Sequence, residues 1–140
     1  MAEAGPGDVK GATRANLAFY QSFEALVLPA MQRVWLADDR VQCVHPGGEL
    51  LIGRKLVLDS FHSIFEHTEA IRFELTDVRV EVAGDAAWAT LVERIRLHVE
   101  GQVLDSQAAA TNVFVRTPDG WRMAVHHASP VQRRFYPPGT

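Results

Sequence analysis

From Ile71 to Val131 apolar and polar residues alternate over four long stretches, interrupted only by sequences suited to tight turns. Ile71, Phe73 and Leu75 share one parity, and Val78, Val80 and Val82 share the other. A slip of one residue turns every later side chain to the opposite face, so a β-bulge is expected near Thr76-Asp77. Gly84-Asp85 leads into a strand over 86–100, and Gly101-Gln102 leads into one over 103–116. Thr117-Pro118-Asp119-Gly120 then leads into a strand over 121–131. Strands of roughly ten to fifteen residues are long against a usual five or six. Such strands must bend strongly, and a bent sheet covered by helices makes a cone with a pocket inside.

The helices precede this sheet. Leu17, Tyr20, Phe23 and Val27 recur at helical spacing, and Leu28-Pro29 breaks that helix. Pro29 suits the first turn of a second helix, running to about Trp35. Val41, Cys43 and His45 alternate with Gln42 and Val44 as on a short strand, with Leu50 to Ile52 as its return. Val57, Leu58, Phe61, Ile64 and Phe65 make one face of a long helix from Gly53 to His67. The expected fold is α+β, a strongly curved antiparallel sheet with helices packed on its concave face. One domain is expected over 14–131, between a flexible tail at 1–13, rich in Gly, Pro and Ala, and a second tail at 132–140.

Charge and cysteine usage narrow the class. The formal charge is −3 with both signs interspersed, so neither nucleic acid nor a membrane surface is an expected partner. No apolar run reaches the length of a membrane span. The lone Cys43 has no internal disulfide partner, and a cytoplasmic protein is expected.

Glu93 is the most informative single residue. It shares strand parity with Ala87, Ala89, Leu91, Ile95, Leu97 and Val99, while Trp88, Thr90, Arg94 and Arg96 face the other way. A carboxylate in an apolar row is costly unless it is paired or protonated, so it marks either function or a structural pairing. On the opposite face Trp88, Thr90 and Val92 are apolar for a solvated surface, which predicts a homodimer through the outer face of the sheet.

The element order resembles the nuclear transport factor 2-like superfamily over about 14–131, and three segments sharpen the likeness. Trp35-Leu36-Ala37-Asp38-Asp39 looks like the end of the second helix in ketosteroid isomerases and SnoaL-like proteins. Ile52-Gly53-Arg54 is similar to the superfamily's glycine-led start of the third helix, and Gly120 to Ser129 looks like the closing strand of its SnoaL-like and calcium/calmodulin-kinase association-domain branches. The resemblance implies the cone-shaped, cystatin-like fold, and it leaves the reaction open because this fold hosts isomerases, dehydratases, cyclases and non-enzymes.

Carried over position by position, the resemblance puts Tyr20 where the isomerases hold an oxyanion-donating tyrosine. It puts His45, before Pro46, where they hold the proton-shuttling carboxylate, and Asn112 near their oxyanion-holding acid. Each has a plain alternative: Tyr20 packs in the core, His45 binds a carbonyl at a strand end, and Asn112 satisfies a buried backbone group. An imidazole at position 45 suits general-base work at neutral pH. A carboxylate at position 93 near it would favour the imidazolium, whereas burial opposes both charges. The expected catalytic set is His45, Glu93, Tyr20 and Asn112.

Trp35, Cys43, Phe61, Phe65 and His127 are expected to line the substrate site. Of the adjacent His126 and His127 only one can face the pocket. His127 shares parity with Trp121, Met123 and Val125, while the resemblance favours His126. No cofactor and no metal are expected, since proton transfer beside a carbonyl needs only a base and oxyanion donors. The chain is therefore expected to act on a small apolar carbonyl compound as an isomerase, cyclase or dehydratase. The alternative is a non-catalytic ligand-binding or dimer-forming module.

Overall fold

The computed structural model describes residues 6–131. Helices α1 (Pro6–Ala25) and α2 (Leu28–Val34) are followed by the short strands β1 (Gln42–Val44) and β2 (Leu51–Ile52) and by helix α3 (Arg54–His67). Four long strands complete the chain: β3 (Ala70–Ala83), β4 (Ala86–Val99), β5 (Gln102–Thr117) and β6 (Gly120–Pro130). They form one open six-stranded sheet in the order β2-β1-β6-β5-β4-β3. The long strands pair antiparallel, as their tight turns require. The sheet is nevertheless mixed rather than wholly antiparallel, because β1 runs parallel to β6 and sets Cys43 opposite His126. Among the described residues no helix is long and apolar enough to cross a membrane.

The first helix corrects the expected tail. It begins at Pro6, inside the stretch read as flexible, and its small residues are a contact surface. Ala12 is fully buried, and a Cβ on Gly11 would come within 3.0 Å of the Trp121 ring. Asp8 in the first turn accepts a 2.6 Å hydrogen bond from Arg116, whose guanidinium also lies 4.4 Å over Trp121. Composition alone cannot show that these glycines and alanines have a sheet end to pack on. The expected tail at 132–140 lies outside the described residues.

Two of the sequence segments meet in space. Arg54, opening α3, donates to the carbonyls of Gln32, Trp35 and Leu36, and so satisfies the exposed C-terminal end of α2. The Arg54 backbone N–H donates in turn to Asp39. Gly53 just before it sits at φ 97°, a conformation that favours glycine. The core lies between helices and sheet. The Phe19 ring stands there edge-on to Tyr20, Phe23, Trp35 and Phe61.

Two bulges set which side chains face that core. The first is in β3 between Thr76 and Arg79, with Asp77 at φ 55°, where the parity change predicts it. The second is in β6, where Val125 pairs with Val113 but Met123 pairs with Phe114, which leaves Ala124 as the extra residue. Trp121 and Met123 are buried before it, His126 and Ala128 after it.

Candidate active site

A cavity of about 680 Å³ opens on the concave side of the sheet, walled by Phe23, Ile64, Ile71, Phe73, Ile95 and Leu97. Besides the exposed His67, three titratable side chains line it: His45, Glu93 and His126. Glu93 reaches it through the unbroken parity of β4, and only 2% of the residue is exposed. His45 follows β1, and His126 sits across from β1 on β6. The two imidazole rings are 6.3 Å apart, centre to centre.

Behind the cavity wall lies a chain of buried hydrogen bonds. Tyr20 donates its only hydroxyl proton to Glu93 Oε2 at 2.6 Å. Its oxygen must therefore accept from Asn112, whose Nδ2 lies 3.0 Å away. The same amide nitrogen donates to Asn16 Oδ1 at 2.9 Å. Asn112 Oδ1 is thereby turned toward His126 Nδ1, 2.6 Å away, so His126 carries its proton on Nδ1. His45 is fixed from the other side. Its Nε2 lies 2.9 Å from Ser60 Oγ, and that hydroxyl gives its proton to the Val57 carbonyl at 2.6 Å. Nε2 of His45 is thus the donor, and Nδ1 keeps a free lone pair.

Burial then sets the charges. It pushes the Glu93 carboxyl up to about 7, although the Tyr20 hydrogen bond pulls the other way. Burial takes His45 down to about 4 and, with His45 and His127 adding to it, His126 down to about 3. Both imidazoles are neutral at physiological pH. Burial alone accounts for the His45 shift, and the imidazolium-favouring pull expected from a nearby carboxylate does not enter it. Burial, then the Glu93 charge, drives the Tyr20 hydroxyl far above its usual range.

Of the expected catalytic residues, His45 and Glu93 share the cavity, whereas Tyr20 and Asn112 stand behind its wall. Neither is free to donate to a ligand oxyanion. The Tyr20 proton is committed to Glu93, and the Asn112 amide to Asn16 and Tyr20. In this structure both spend their donors on protein partners rather than on the cavity. The expected substrate-contacting residues also move. Trp35, Cys43 and Phe61 are core, with the Cys43 thiol pushed up to about 12 by burial, and half-buried Phe65 packs against that core. His127 is exposed and faces the opposite side, because the Ala124 bulge reverses the parity it shares with Trp121 and Met123. His127 therefore does not meet His45 and Glu93, which line the cavity.

Sequence reasoning missed Asn16 and Ser60. Asn16 carried a usable signal, being one helical turn before Tyr20 in the buried row Ala12, Asn16, Phe19 and Phe23. Ser60 carried none, since it is one polar residue on a mixed helix face.

The SnoaL-like domain profile matches residues 13–133. The structure superposes with a TM-score of 0.88 on a candidate dehydratase of the NTF2-like family from Streptomyces avermitilis, at 38% identity, covering 93% of this chain and all of that one. A candidate calcium/calmodulin-dependent protein kinase type II association domain from Thiobacillus denitrificans superposes at a TM-score of 0.76, with 36% identity over 86% of this chain and 94% of that one. Among curated proteins, the F-box protein SKIP8 of Arabidopsis thaliana is 33% identical over 114 residues, or 81% of this chain. The chain spans about half of that relative's length (47%).

Proposed function

Because the chain belongs to the SnoaL-like domain family within the NTF2-like superfamily, we propose that its cone binds a small, largely apolar carbonyl compound and moves a proton on it, as isomerases, cyclases and dehydratases do. The observation that carries this is the pairing, in one apolar cavity, of a neutral imidazole and a carboxyl that titrates near 7. Nδ1 of His45 takes the proton from the carbon next to the carbonyl. Glu93 in its protonated form gives its proton to the oxygen on which charge develops, as a buried carboxylic acid can at neutral pH. Tyr20 and Asn112 hold Glu93 in place rather than meet the substrate. The candidate dehydratase among the neighbours is described by a reaction of this type, which supports the reading.

The pH dependence has a definite sign. Activity requires His45 neutral and Glu93 protonated. It should rise as pH climbs through about 4, hold a plateau, and fall as pH passes about 7. Tyr20 from α1 donates to Glu93, Asn112 from β5 backs Tyr20, and the Cys43 thiol of β1 feels the Glu93 charge; none of them ionises in that window. Deuterium exchange at the carbon beside the carbonyl of tetralone, followed by NMR in heavy water, measures the profile directly. A rate that climbs through pH 7, or no exchange above buffer, would count against the assignment.

We also propose that the outer face of the sheet joins two copies of the chain. Trp88 is paired with Val113, and Val113 with Val125, in one apolar row across β4, β5 and β6. Trp88 is 37% exposed in the single chain. Sedimentation should show a dimer, and Trp88→Arg should shift it to the 15.5 kDa monomer. A monomeric parent protein at micromolar concentration would contradict the interface.

A further inference from the structure

We infer that the compound carries, besides its carbonyl, a hydroxyl or N–H group that is received by Nε2 of His126. The inference rests on the proton-transfer proposal in one respect: His45 and Glu93 are already engaged with the reacting end, which leaves His126 to meet another part of the molecule.

The donor directions fix what His126 offers. Tyr20 has one proton, and Glu93 holds it. Asn112 therefore points its amide nitrogen at Tyr20 and its oxygen at His126, and the His126 proton sits on Nδ1 to meet that oxygen. Nε2 is left with a bare lone pair on a ring that is 2% exposed and lines the cavity. Phe19 packs 4.6 Å from the ring, centre to centre, and limits its freedom to turn. Burial keeps the ring neutral, so Nε2 accepts a hydrogen bond and has none to give.

An acceptor of this kind discriminates. A ketone or ether oxygen brought against Nε2 sets two lone pairs facing each other, with no water to relieve them. A hydroxyl or amine hydrogen pairs with it. Sites built to pair a buried polar group reject the analogue that leaves it unpaired far more strongly than they reject a change in size. The ligand class that fits is a hydroxylated or amino-substituted cyclic ketone, apolar in its body and bearing a donor away from the carbonyl.

The test uses tetralone, its isomeric hydroxytetralones and their methyl ethers, titrated into the full chain at pH 7 by calorimetry. At least one hydroxytetralone should bind roughly tenfold tighter than both its ether and the parent ketone. Long-range proton–nitrogen spectra should show His126 protonated on Nδ1, with the Nε2 resonance moving when the hydroxytetralone binds. The inference is overturned by His126 protonated on Nε2, by ethers that match the hydroxy compounds, or by no binding of any of them. The two proposals fail separately. Deuterium exchange without a hydroxyl preference removes only this inference, and a hydroxyl preference without exchange removes only the proton-transfer reading.

Discussion

Glu93→Gln should lose about 10²–10⁴-fold in turnover while making the protein more stable above neutral pH. Gln keeps an oxygen for the Tyr20 hydroxyl and an N–H for a ligand, but it has no proton to hand over. The stability arm follows from the raised pKa. In the folded protein the carboxyl titrates near 7 instead of its ordinary 4.5, so the folded state holds that proton more tightly than the unfolded chain does. Its contribution is fully present below pH 4.5, declines as pH rises, and is gone above about 7. The shift corresponds to about 3 kcal/mol. The variant, which has nothing to ionise, should exceed the parent by up to that amount at pH 8 and match it near pH 4. His45 and His126 act in the opposite sense in both proteins, losing stability as pH falls from 6.5 toward their lowered values. Urea unfolding at pH 5 and pH 8, beside the exchange assay, separates the terms. A variant less stable than the parent at pH 8 would mean that Glu93 serves the fold.

Asn112→Ala should be the most damaging single change behind the wall of the site. The side chain is fully buried, and it satisfies Asn16, Tyr20 and His126 together. Its loss strands an amide oxygen and an imidazole N–H and removes one partner from the tyrosine. At about 1–3 kcal/mol for each buried group left unmet, a total of about 3–5 kcal/mol is expected, held down by any water that enters the space. That is a large share of the 5–15 kcal/mol typical of a whole domain. Thermal or urea denaturation measures it. A loss under about 1 kcal/mol would show that the network is wetter than these distances describe. The folded fraction should also show His126 no longer fixed as the Nδ1–H tautomer, which simple loss of packing would not produce.

What could be read in advance depended on whether one strand's alternation ran unbroken. Glu93 stood out because β4 has no bulge, so its neighbours on both sides report the same face. His126 did not, because Ala124 interrupts β6 and the residues before it report the wrong face for those after it. The β3 bulge was legible because apolar residues flank it on both sides. The β6 bulge was not, because an alanine fits either face. The location of Asn112 among apolar neighbours was visible, but its task was not. Its donors are spent on Asn16 and Tyr20 of α1, 96 and 92 residues away, and no local pattern carries that contact. The early start of α1 was hidden for a similar reason, since Gly11 and Ala12 acquire meaning only against Trp121 and the sheet.

The spare residue in β6 also governs how this chain can change over generations. Substituting Ala124 by another small residue alters one side chain. Deleting it makes Met123 and Val125 consecutive, and these already pair with the consecutive Phe114 and Val113, so the ladder closes into regular alternation with His126 still inside and His127 still outside. The bulge is therefore slack in the chain. One residue can be lost at this point without moving any neighbour to the other face, whereas a residue lost further along, where the pairing is already regular, turns those beyond it over. A lineage can shed a codon here and keep both surfaces of the sheet, but not a few codons later.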